Sequence, residues 1–454
     1  MTNPMPHTKK QFGVLGLGRS GLAAARFLAT RGNPVVAWDQ GKVPLEGLET
    51  LPEVEIWDGP FPEQRLLQCE TVLLSPGIPR THPGVAKLVA NGLPVINDCE
   101  WLYRHCQSQG VASKFVAITG TNGKSTVTTL VGEMLAATGV NTQTGGNLGQ
   151  AALSLWHEDT RIYVLELSSF QLESMKSFRA NSAALLNLSP DHMDRYPGLE
   201  HYLEAKLAIF HNQQPGDVAV INADDPGLWP AARSVCLKGV TCVGFSIEKP
   251  VPGGVYIQDG WLVDHRGQER QPILETARIR IKGRHNLANA TAAAALALGQ
   301  GAGREIIAKI LEHFPGLPHR MQWVRSVNGV TFYNDSKGTN VGAVVESLAS
   351  FDRPLVLIAG GRAKKTDFSS LTQAASQRLR ATVVIGESAK DIEAVLAGVA
   401  PVAHAGSMKE AVAKSLELAQ PGDVVLLSPA CASFDMFKNF EDRGHQFSEA
   451  VHAL

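Results

Sequence analysis

A lysine and two hydroxyl residues follow a glycine-rich turn in the stretch "AITGTNGKST", residues 117–126. An apolar run precedes the turn and a helical pattern follows it, which is the layout of a phosphate-binding loop. In such a loop Lys124 would neutralise the β and γ phosphates, and the Ser125 hydroxyl would suit Mg²⁺. The alternative is a turn with a solvated lysine. Gly120 and Gly123 are separated by two residues, whereas the general nucleotide-binding pattern has four. We therefore expect an ATP site of unusual spacing, formed by Gly120, Thr121, Asn122, Gly123, Lys124, Ser125 and Thr126.

Acidic and imidazole side chains end two later apolar runs of the same region. Glu166 follows "IYVL", and Asp191, His192 and Asp194 lie in "NLSPDHMDRY". A carboxylate at the end of a strand in a nucleotide-binding sheet commonly orders a metal or its water, and oxygen with imidazole ligands suits Mg²⁺ or Mn²⁺. The alternatives are a satisfied buried glutamate and a structural histidine. Lys206 follows on a helical stretch, where its own context favours a solvated lysine.

Polar residues that could contact a nucleoside lie further along the chain. Asn286 and Asn289 share a face near the start of an alanine-rich helix, where they could bond an adenine or cap the helix. Asp335 and Lys337 in "YNDSKGTN" suit ribose and phosphate contacts, although a surface turn has the same composition. Arg320, in the linker-like "LPHRMQ", could reach a phosphate when domains close.

The earliest chemical pattern is "GLGRSG", residues 16–21, which follows the apolar "FGVL" and opens a helix. Glycines at these positions let a backbone approach a diphosphate, and a helix N-terminus attracts it. Asp39 ends the next apolar run, where an acid could meet a ribose hydroxyl. The pattern predicts a diphosphate ligand, either a dinucleotide or a nucleotide sugar, and its alternative is a merely structural strand–helix turn.

These candidates require strands that alternate with helices, and that alternation occurs in three series along the chain. We expect an α/β protein with three domains. Residues 1–108 would form a Rossmann-like domain, and residues 109–316 a P-loop ATPase-like domain with a mostly parallel sheet. Within 236–283, "CVGFSI", "GVYIQDGWLVDHRG" and "ARIRIKG" suggest a small antiparallel sheet. Residues 317–454 would form a second Rossmann-like domain.

Composition narrows the class of protein. The chain has 454 residues, of which 44% are hydrophobic and 19% charged, as in a globular protein of several domains. A formal net charge of −1 argues against a general nucleic-acid binder. The six cysteines form no C-x-x-C pair and are expected to be reduced thiols. We find no apolar run long enough for a signal peptide or a membrane span, and expect a cytoplasmic location without membrane insertion.

Seven motifs in order resemble those of the ATP-dependent Mur ligases over nearly the whole chain. They are "TGTNGKST", "ELSSFQLE", "DHMDRY", "HNLAN", "LPHR", "NDSKGTN" and "SPACASFDMFKNFEDRG". In that family the two-residue glycine spacing is the rule. The last two motifs resemble the branch that adds D-glutamate. The resemblance implies that ATP phosphorylates the carboxylate of UDP-N-acetylmuramoyl-L-alanine and that the D-glutamate amine attacks the acyl phosphate, in peptidoglycan precursor synthesis.

The resemblance also implies roles for particular residues. Two Mg²⁺ ions, replaceable by Mn²⁺, would be held by Ser125, Glu166, His192 and Lys206, the lysine being carbamylated. The catalytic residues would be Lys124, His192, Lys206 and Asn147, the last near the reacting carboxylate. The adenine would face Asn286 and Asn289, the ribose Asp335, and the phosphates Arg320 and Lys337. D-Glutamate would be bound by Thr339, Lys364, Ser433 and Phe440.

In the first domain the resemblance implies a UDP site rather than an NAD site. Its contacts would be Gly18, Arg19, Ser20, Asp39 and Gly77, although the family often has a leucine–threonine pair where this chain has Arg19 and Ser20. We expect a monomer whose ATP site closes between the second and third domains. A dehydrogenase would give no role to "TGTNGKST", and a P-loop switch or transport ATPase would leave the third domain idle. Only the ligase uses all three domains.

Overall fold

A computed structural model describes residues 10–41, 47–147, 149–193, 195–236, 239–363, 367–376 and 378–454. Across these ranges the chain forms three sheets, one after another, each flanked by helices. The predicted α/β class with three domains is confirmed. The predicted boundaries at 108/109 and 316/317 remain a prediction, although the strands of the three sheets span 12–96, 114–275 and 322–427.

The first sheet is parallel and has the strand order β3-β2-β1-β4-β5. Short, fully buried apolar strands such as "FGVL" and "VVAW" form its centre, as expected where helices cover both faces. The order reverses beside β1, so the edge at the carboxyl end of β1 is the natural ligand site. Its elements are β1 (Phe12–Leu15), α1 (Arg19–Ala29), β2 (Val35–Trp38), β3 (Val54–Ile56), α2 (Glu63–Leu66), β4 (Thr71–Leu74), α3 (Pro83–Ala90), β5 (Val95–Ile96) and α4 (Asp98–Ser108), with a 3₁₀ turn at Leu48–Thr50.

The central sheet has the order β14-β13-β12-β11-β10-β9-β6-β8-β7, parallel from β7 to β12 and antiparallel beyond. Its elements are β6 (Lys114–Thr119), α5 (Lys124–Ala136), β7 (Thr142–Gly146), β8 (Ile162–Glu166), α6 (Ser169–Leu172), β9 (Ser182–Leu185), α7 (Leu199–Leu207), β10 (Val218–Asn222), α8 (Leu228–Cys236), β11 (Thr241–Ser246), β12 (Val255–Gln258), β13 (Trp261–Asp264), β14 (Gln271–Glu275), α9 (Arg284–Gly299) and α10 (Arg304–His313). Three 3₁₀ turns in the described ranges, at Ala152–Leu155, Ala208–Phe210 and Thr276–Arg278, complete the series. The alanine-rich α9 is buried along most of its length and packs with α5 in one core. A helix that is apolar all round must lie inside the fold.

The third sheet has the order β15-β16-β20-β17-β18-β19 and is parallel except for the edge pair β15/β16. Its elements are β15 (Gln322–Val327), β16 (Val330–Asn334), α11 (Val341–Ala349), β17 (Leu355–Gly360), α12 (Ser370–Ala375), β18 (Leu379–Ile385), α13 (Ala389–Leu396), β19 (Val402–His404), α14 (Met408–Leu418), β20 (Val424–Leu427) and α15 (Phe440–His452). The antiparallel edge strand is a common addition to an otherwise parallel sheet.

Three sequence expectations differ from the structure. The expected small antiparallel sheet is the continuation of the central sheet, because β12 pairs in parallel with β11 and only β13 and β14 reverse. The run "CVGFSI" lies in the parallel β11, and "ARIRIKG" begins with a 3₁₀ turn instead of a strand. Cys69, Cys99, Cys106 and Cys431 are free thiols as expected, but Cys242 is disulfide-bonded, so the expectation of six reduced cysteines is wrong.

The first and second domains are joined by buried polar contacts at the start of α4. The carboxylate of Glu100, fully buried, accepts hydrogen bonds from the backbone N–H groups of Lys176, Ser177 and Phe178. Asn97 caps α4 and donates to Gln171 O and the Ser174 hydroxyl. In the part of the chain that the structure describes, no helix is both long enough and apolar enough to cross a bilayer.

Candidate active site

The glycine-rich loop between β6 and α5 has the backbone shape of an anion cradle. Gly120 and Gly123 have φ angles of 157° and 81°, and Gly123 is the N-cap of α5. A β-carbon on Gly123 would lie 2.2 Å from Asn289 Oδ1, so this position requires glycine both for its backbone conformation and for the close approach of α9. The first turn of α5 carries no acidic residue. The N–H groups at this helix end are therefore suited to a phosphate.

The loop is held to neighbouring strands by its asparagine and threonine. Asn122 N donates to Asn187 Oδ1 at 2.8 Å, and Asn187 Nδ2 returns a bond to Asn122 O at 3.1 Å. The Thr121 hydroxyl accepts from Ser189 N at 3.1 Å. Lys124 Nζ lies 2.9 Å from Gly120 O and donates to it. The predicted alternative, a turn with a solvated lysine, is wrong.

Glu166 ends β8 beside this loop and is almost fully buried. Its Oε1 accepts from Asn147 Nδ2 at 2.7 Å, while Oε2 is buried with no hydrogen-bond partner. Burial alone would raise the pKa of Glu166, but the charge of Lys124 and its other polar neighbours hold it below its usual value. The carboxylate is thus ionised with one oxygen lacking a partner, so the alternative of a satisfied buried glutamate is wrong.

Lys206 lies on α7 and is 1% exposed, so the expectation of a solvated lysine from its local sequence is wrong. Its Nζ donates to Gly120 O at 2.9 Å and lies 4.3 Å from the centre of the Tyr202 ring. Burial, reinforced by the nearby charge of Lys124, holds the pKa of Lys206 well below its usual range. The amine therefore carries less positive charge at neutral pH than an ordinary lysine.

His192 lies just beyond β9 in a left-handed backbone conformation, with φ 58°. Its ring makes an edge contact with the Phe170 ring at 4.8 Å, and its Nε2 lies 3.7 Å from Asp191 Oδ2. Non-glycine residues with positive φ are concentrated at functional sites because the surrounding structure must hold them in place. Asp194 lies outside the described residues.

A cavity of about 750 Å³ lies between the second and third domains, in front of the loop. Its volume is within the usual range for ligand sites. It is lined by eight of the predicted ATP-binding residues, namely Asn122, Gly123, Thr126, Asn286, Asn289, Arg320, Asp335 and Lys337. Asn286 donates to Lys282 O, and the N-cap of α9 is Gly283, so the capping alternative for Asn286 is wrong.

The third domain contributes a buried acid and two cations to this cavity. Asp335 Oδ2 accepts from the hydroxyls of Ser347 and Ser428 at 2.8 Å each, and burial raises the pKa of Asp335 to about 6. Burial and the charge of Arg320 lower the pKa of Lys337 to about 8. The surface-turn alternative for these residues is wrong, because Asp335 is buried.

Arg320 reaches from the interdomain linker to the phosphate loop, where its Nη2 donates to the Ser125 hydroxyl at 2.5 Å. The linker itself is fixed to the third domain, since Met321 N donates to Asp335 Oδ1 and Lys337 N donates to His319 O. His319 and Met321, on either side of Arg320, both have positive φ. Arg320 is therefore held in place by third-domain contacts while its side chain contacts the second domain.

Three of the residues predicted for D-glutamate, Thr339, Ser433 and Phe440, lie in segments that follow strands β16 and β20 of the third sheet. Phe440 is the first residue of α15, and the centre of its ring lies 3.7 Å from Lys337 Nζ. Thr339 lies in the same loop as Lys337. Ser433 follows β20 in the chain and is buried. Lys364 lies outside the described residues.

In the first domain, Asp39 contacts the "GLGRSG" loop directly. Its carboxylate accepts backbone hydrogen bonds, whereas the sequence suggested a contact with a ribose hydroxyl. Asp39 Oδ2 accepts from Leu17 N at 2.5 Å and Oδ1 from Gly41 N at 2.8 Å. A β-carbon on Gly21 would lie 1.7 Å from Gly16 O, which explains the third glycine by close packing of helix on loop. Gly18 and Gly77 both face open space. Ser20 lies beside the buried carboxyl of Asp98.

Arg19 makes a contact that its sequence position did not predict. Its Nη2 donates to the backbone oxygen of Asn147, in the second domain, at 2.9 Å. A second cavity, of about 700 Å³, is lined by Gly18 and Arg19 together with Arg26, Phe27 and Trp156. Ser20, Asp39 and Gly77 are not among its lining residues, so this cavity is lined by only two of the five predicted UDP contacts.

Sequence reasoning also missed residues that join the second and third domains. Asn340, the N-cap of α11, donates to Asn122 Oδ1 at 3.2 Å and to Asp191 Oδ2 at 3.4 Å. The Ser350 hydroxyl lies 3.2 Å from His285 Nδ1. Burial lowers the pKa of His285 to about 4, so this bond is made with a neutral ring at pH 7. Asn340 was visible in "NDSKGTN", but only the fold reveals that it faces the phosphate loop.

The donor set fits a magnesium ion bound chiefly through phosphates and water. Within the described ranges, no group of three or more His, Cys, Asp or Glu side chains could hold a metal on its own. Mg²⁺ usually takes one or two carboxylates and completes its shell with phosphate oxygens and waters. The unpartnered Glu166 Oε2, beside the phosphate loop, meets that requirement.

Models of three protein families match successive parts of the chain. They are the Mur ligase MurD-like N-terminal domain over residues 10–97, the Mur ligase middle domain over 118–297, and the Mur ligase glutamate ligase domain over 319–431. Together they cover the three sheets in order.

Whole-chain relatives are similar over nearly the full length. The chain is 43% identical over 452 residues to the UDP-N-acetylmuramoylalanine–D-glutamate ligase of Nitrosococcus oceani, covering 97% of this chain and 96% of the relative. It is 42% identical to the enzyme of the same name from Methylococcus capsulatus, with 97% and 94% covered.

Solved structures are similar in fold. UDP-N-acetylmuramate–alanine ligase from Thermotoga maritima gives a TM-score of 0.60 at 18% identity, with 98% of this chain and 99% of that chain covered. The MurF ligase from the same organism, solved in complex with ADP, gives 0.62 at 16% identity, with 98% and 96% covered.

Proposed function

The chain belongs to the Mur ligase family, and on that premise we propose that it joins D-glutamate to UDP-N-acetylmuramoyl-L-alanine at the expense of ATP. Relatives that are more than 40% identical over nearly the whole chain carry that activity in their names. A dehydrogenase would have no use for the phosphate loop, and a P-loop switch would have none for a third domain whose lysine and arginine face the nucleotide cavity.

The reaction has two transfers. A carboxylate oxygen of the nucleotide-sugar substrate attacks the γ-phosphorus of ATP, and the bond to the β–γ bridging oxygen breaks to release ADP. The D-glutamate nitrogen then attacks the carbonyl carbon of the acyl phosphate, and phosphate leaves as the amine loses a proton. The protein needs chiefly to position the reactants and to neutralise their charge.

The single observation that carries this proposal is the cavity between the second and third domains. The phosphate loop contributes Asn122 and Gly123 to its lining, and the third domain contributes Lys337. The asparagines of α9 line the same cavity on the nucleoside side. ATP would span both domains, with phosphates at the loop, adenine at α9 and ribose near Asp335.

We assign the two Mg²⁺ ions to the surroundings of Glu166 and His192. Ser125 and Glu166 would hold the ion at the β and γ phosphates, and His192 with modified Lys206 would hold the second; Mn²⁺ could replace either. The ions would neutralise charge on the transferring phosphoryl group. Arg320 donates to the Ser125 hydroxyl, so a metal ion bound by that hydroxyl would lie close to the Arg320 guanidinium.

We propose that Lys206 is carbamylated. Its buried amine has a pKa well below the usual range, which favours the neutral form that attacks CO₂. The nitrogen forms a bond to the carbon of CO₂ and loses a proton, and the product carries a carboxylate in place of an ammonium. Carbon-13 NMR of the folded protein in ¹³C-bicarbonate buffer, beside Lys206→Met, tests this. Absence of a carbamate carbon signal from active wild-type protein would contradict it.

The remaining substrate sites follow from the same premise. The UDP end would lie against the "GLGRSG" loop, with Gly18, Arg19, Ser20, Asp39 and Gly77 around it. D-Glutamate would lie near Thr339, Ser433 and Phe440, with Lys364 supplying a cation, and Asn147 would lie near the reacting carboxylate. We further propose that the protein is a monomer and that it is cytoplasmic. Size-exclusion chromatography with light scattering tests the oligomeric state.

The decisive experiment is phosphate release with ATP, Mg²⁺, UDP-N-acetylmuramoyl-L-alanine and a panel of amino acids. We expect turnover with D-glutamate and little with L-glutamate, glycine or L-lysine. Omission of the nucleotide sugar should abolish release, which separates a ligase from a simple ATPase. Equal turnover with L-glutamate or glycine would refute the assigned specificity.

A further inference from the structure

Arg19 occupies a position that helix stability does not explain. It is the first residue of α1, where the positive end of the helix dipole disfavours a cation. The first turn of α1 contains no acidic residue to offset that charge. A cation at this end is expected only if it has a partner elsewhere.

The partner that the structure provides lies in the second domain. Arg19 Nη2 donates at 2.9 Å to the backbone oxygen of Asn147, which is 128 residues away in the chain. The Arg19 side chain is otherwise exposed, so the contact is available to solvent and to ligands at the loop.

Asn147 is in turn fixed to Glu166 by two hydrogen bonds. Asn147 N donates to Glu166 O at 2.9 Å, and Asn147 Nδ2 donates to Glu166 Oε1 at 2.7 Å. Two steps therefore connect the loop of the first domain to the carboxylate whose second oxygen lacks a partner. A shift of Arg19 would therefore move Asn147 and change the orientation of the Glu166 carboxylate.

The other side of the connection is the space before the "GLGRSG" loop. A β-carbon on Gly18 would meet no atom within 4 Å, so a ligand can approach the backbone beside Arg19. A diphosphate at this helix end would bring negative charge close to the guanidinium. The same side chain thus lies between the proposed UDP site and Asn147.

We infer that Arg19 is a positioning residue that couples binding of the nucleotide sugar in the first domain to the Asn147–Glu166 pair in the second. This inference rests on the proposed function and adds a specific route by which the two substrate sites communicate. With the diphosphate bound, Arg19 is held in its extended position and Asn147 keeps Glu166 oriented for the metal–nucleotide complex. Without it, Arg19 is free to leave the Asn147 carbonyl, and nucleotide binding weakens.

The test is a binding cycle in the full-length protein. The Kd of the magnesium complex of a non-hydrolysable ATP analogue is measured by calorimetry, with and without saturating UDP-N-acetylmuramoyl-L-alanine. In wild type we expect the nucleotide sugar to lower the Kd of the analogue roughly fivefold, which corresponds to about the free energy of one ordinary hydrogen bond. Arg19→Leu should reduce that factor to about one, and Arg19→Lys, which keeps a donor, should restore part of it.

Arg26→Leu is the matched control, because Arg26 lies two turns further along the same helix and also lines the second cavity. It should retain the wild-type factor, and the unfolding temperature of each variant should match that of wild type. An unchanged factor in Arg19→Leu, or a wild-type factor of one, would overturn the inference. Failure of the proposed function would instead appear as absence of wild-type turnover with D-glutamate.

Discussion

Individual charges in the candidate site are held where water cannot stabilise them. Glu166 is ionised with one oxygen unpartnered, and Lys206 is buried with a lowered pKa. Groups in such surroundings cost stability unless a ligand or modification completes them. The site is therefore arranged for an anionic, metal-bearing substrate that arrives from outside, and its residues can be tested one charge at a time.

Lys124→Ala is expected to lower turnover by at least about a hundredfold, because it removes a fixed positive charge from the developing charge on the transferred phosphate. The fold should be retained, since α5 begins at the same N-cap without that side chain. Phosphate release and the unfolding temperature measure the two effects. Lys309→Ala, an exposed lysine on α10, is the control and should match wild type. Retained activity in Lys124→Ala would remove this residue from the phosphate site.

The pH dependence of ATP use should report Lys337. Because the pKa of this lysine is lowered to about 8, it is charged below that pH and loses its charge as the pH rises through it. We expect kcat/KM for ATP to fall above about pH 8, since this ratio follows the free enzyme. Lys337→Arg should keep activity while moving the fall to higher pH, because a guanidinium stays protonated. A fall at the same pH in both proteins would assign it to another group.

Most of the residue-scale site was predictable because polar residues directly follow apolar strands. Glu166 ends β8, Asp335 directly follows β16, and Lys124 follows the glycine turn, so their placement at the sheet edge follows from parallel topology. Lys206 was not predictable from its own sequence, because burial of a helix lysine depends on what packs over it. The contact of Arg19 with Asn147 and the contacts of Asn340 were missed for the same reason, since the partners are distant in sequence.

At the scale of elements, α5 and the loop before it are fixed by α9. The close approach of Asn289 to Gly123 joins the nucleoside side of the cavity to the phosphate side. An asparagine on one helix therefore sets the position of the loop on another. The small side chains of the alanine-rich α9 allow this close approach, and α9 packs against α5 in the core.

Gly123→Ala should weaken ATP binding more than it weakens the fold. Its φ of 81° costs an L-residue about 1–2 kcal/mol, and its β-carbon would also collide with Asn289. Gly139, just past the other end of α5, has φ 85° and open space around it. Gly139→Ala therefore carries the same backbone strain without the collision. Comparison of unfolding free energy and ATP KM for the two variants measures the difference, and equal effects would show that the Asn289 contact is unimportant.

Local sequence patterns could not predict the direction in which neighbouring strands pair. "CVGFSI" has the composition of a buried strand whether its neighbour runs parallel or antiparallel, and β11 proved parallel. "ARIRIKG" alternates like an edge strand, but the chain turns there to enter α9. Pairing direction is set by the connection lengths and packing of the whole sheet.

At the scale of the whole molecule, the two domain junctions differ in kind. The first two domains share a buried carboxylate, Glu100, that accepts several backbone hydrogen bonds. Breaking that junction would leave a buried charge unsatisfied, so these domains should move as one. Around the nucleotide cavity the third domain contacts the second through one hydrogen bond from Arg320, two from Asn340 and one between Ser350 and His285. Such contacts can be exchanged when ATP enters the cavity.

The third domain is therefore expected to change its position with ligands, and Asn340 offers a selective way to test this. Asn340→Asp keeps an acceptor for the N-cap of α11 but loses the donor to Asn122 and places a negative charge beside Asp191. Small-angle scattering should give a larger radius of gyration for the unliganded variant than for wild type, and KM for ATP should rise roughly tenfold, as expected when a like-charge pair replaces a hydrogen bond. Ser407→Asp, which adds the same charge at the exposed N-cap of α14, controls for charge alone. Wild type should become more compact when the ATP analogue and both substrates are added. Identical scattering from wild type with and without ligands, and from both variants, would contradict a closing cleft and favour a preformed one.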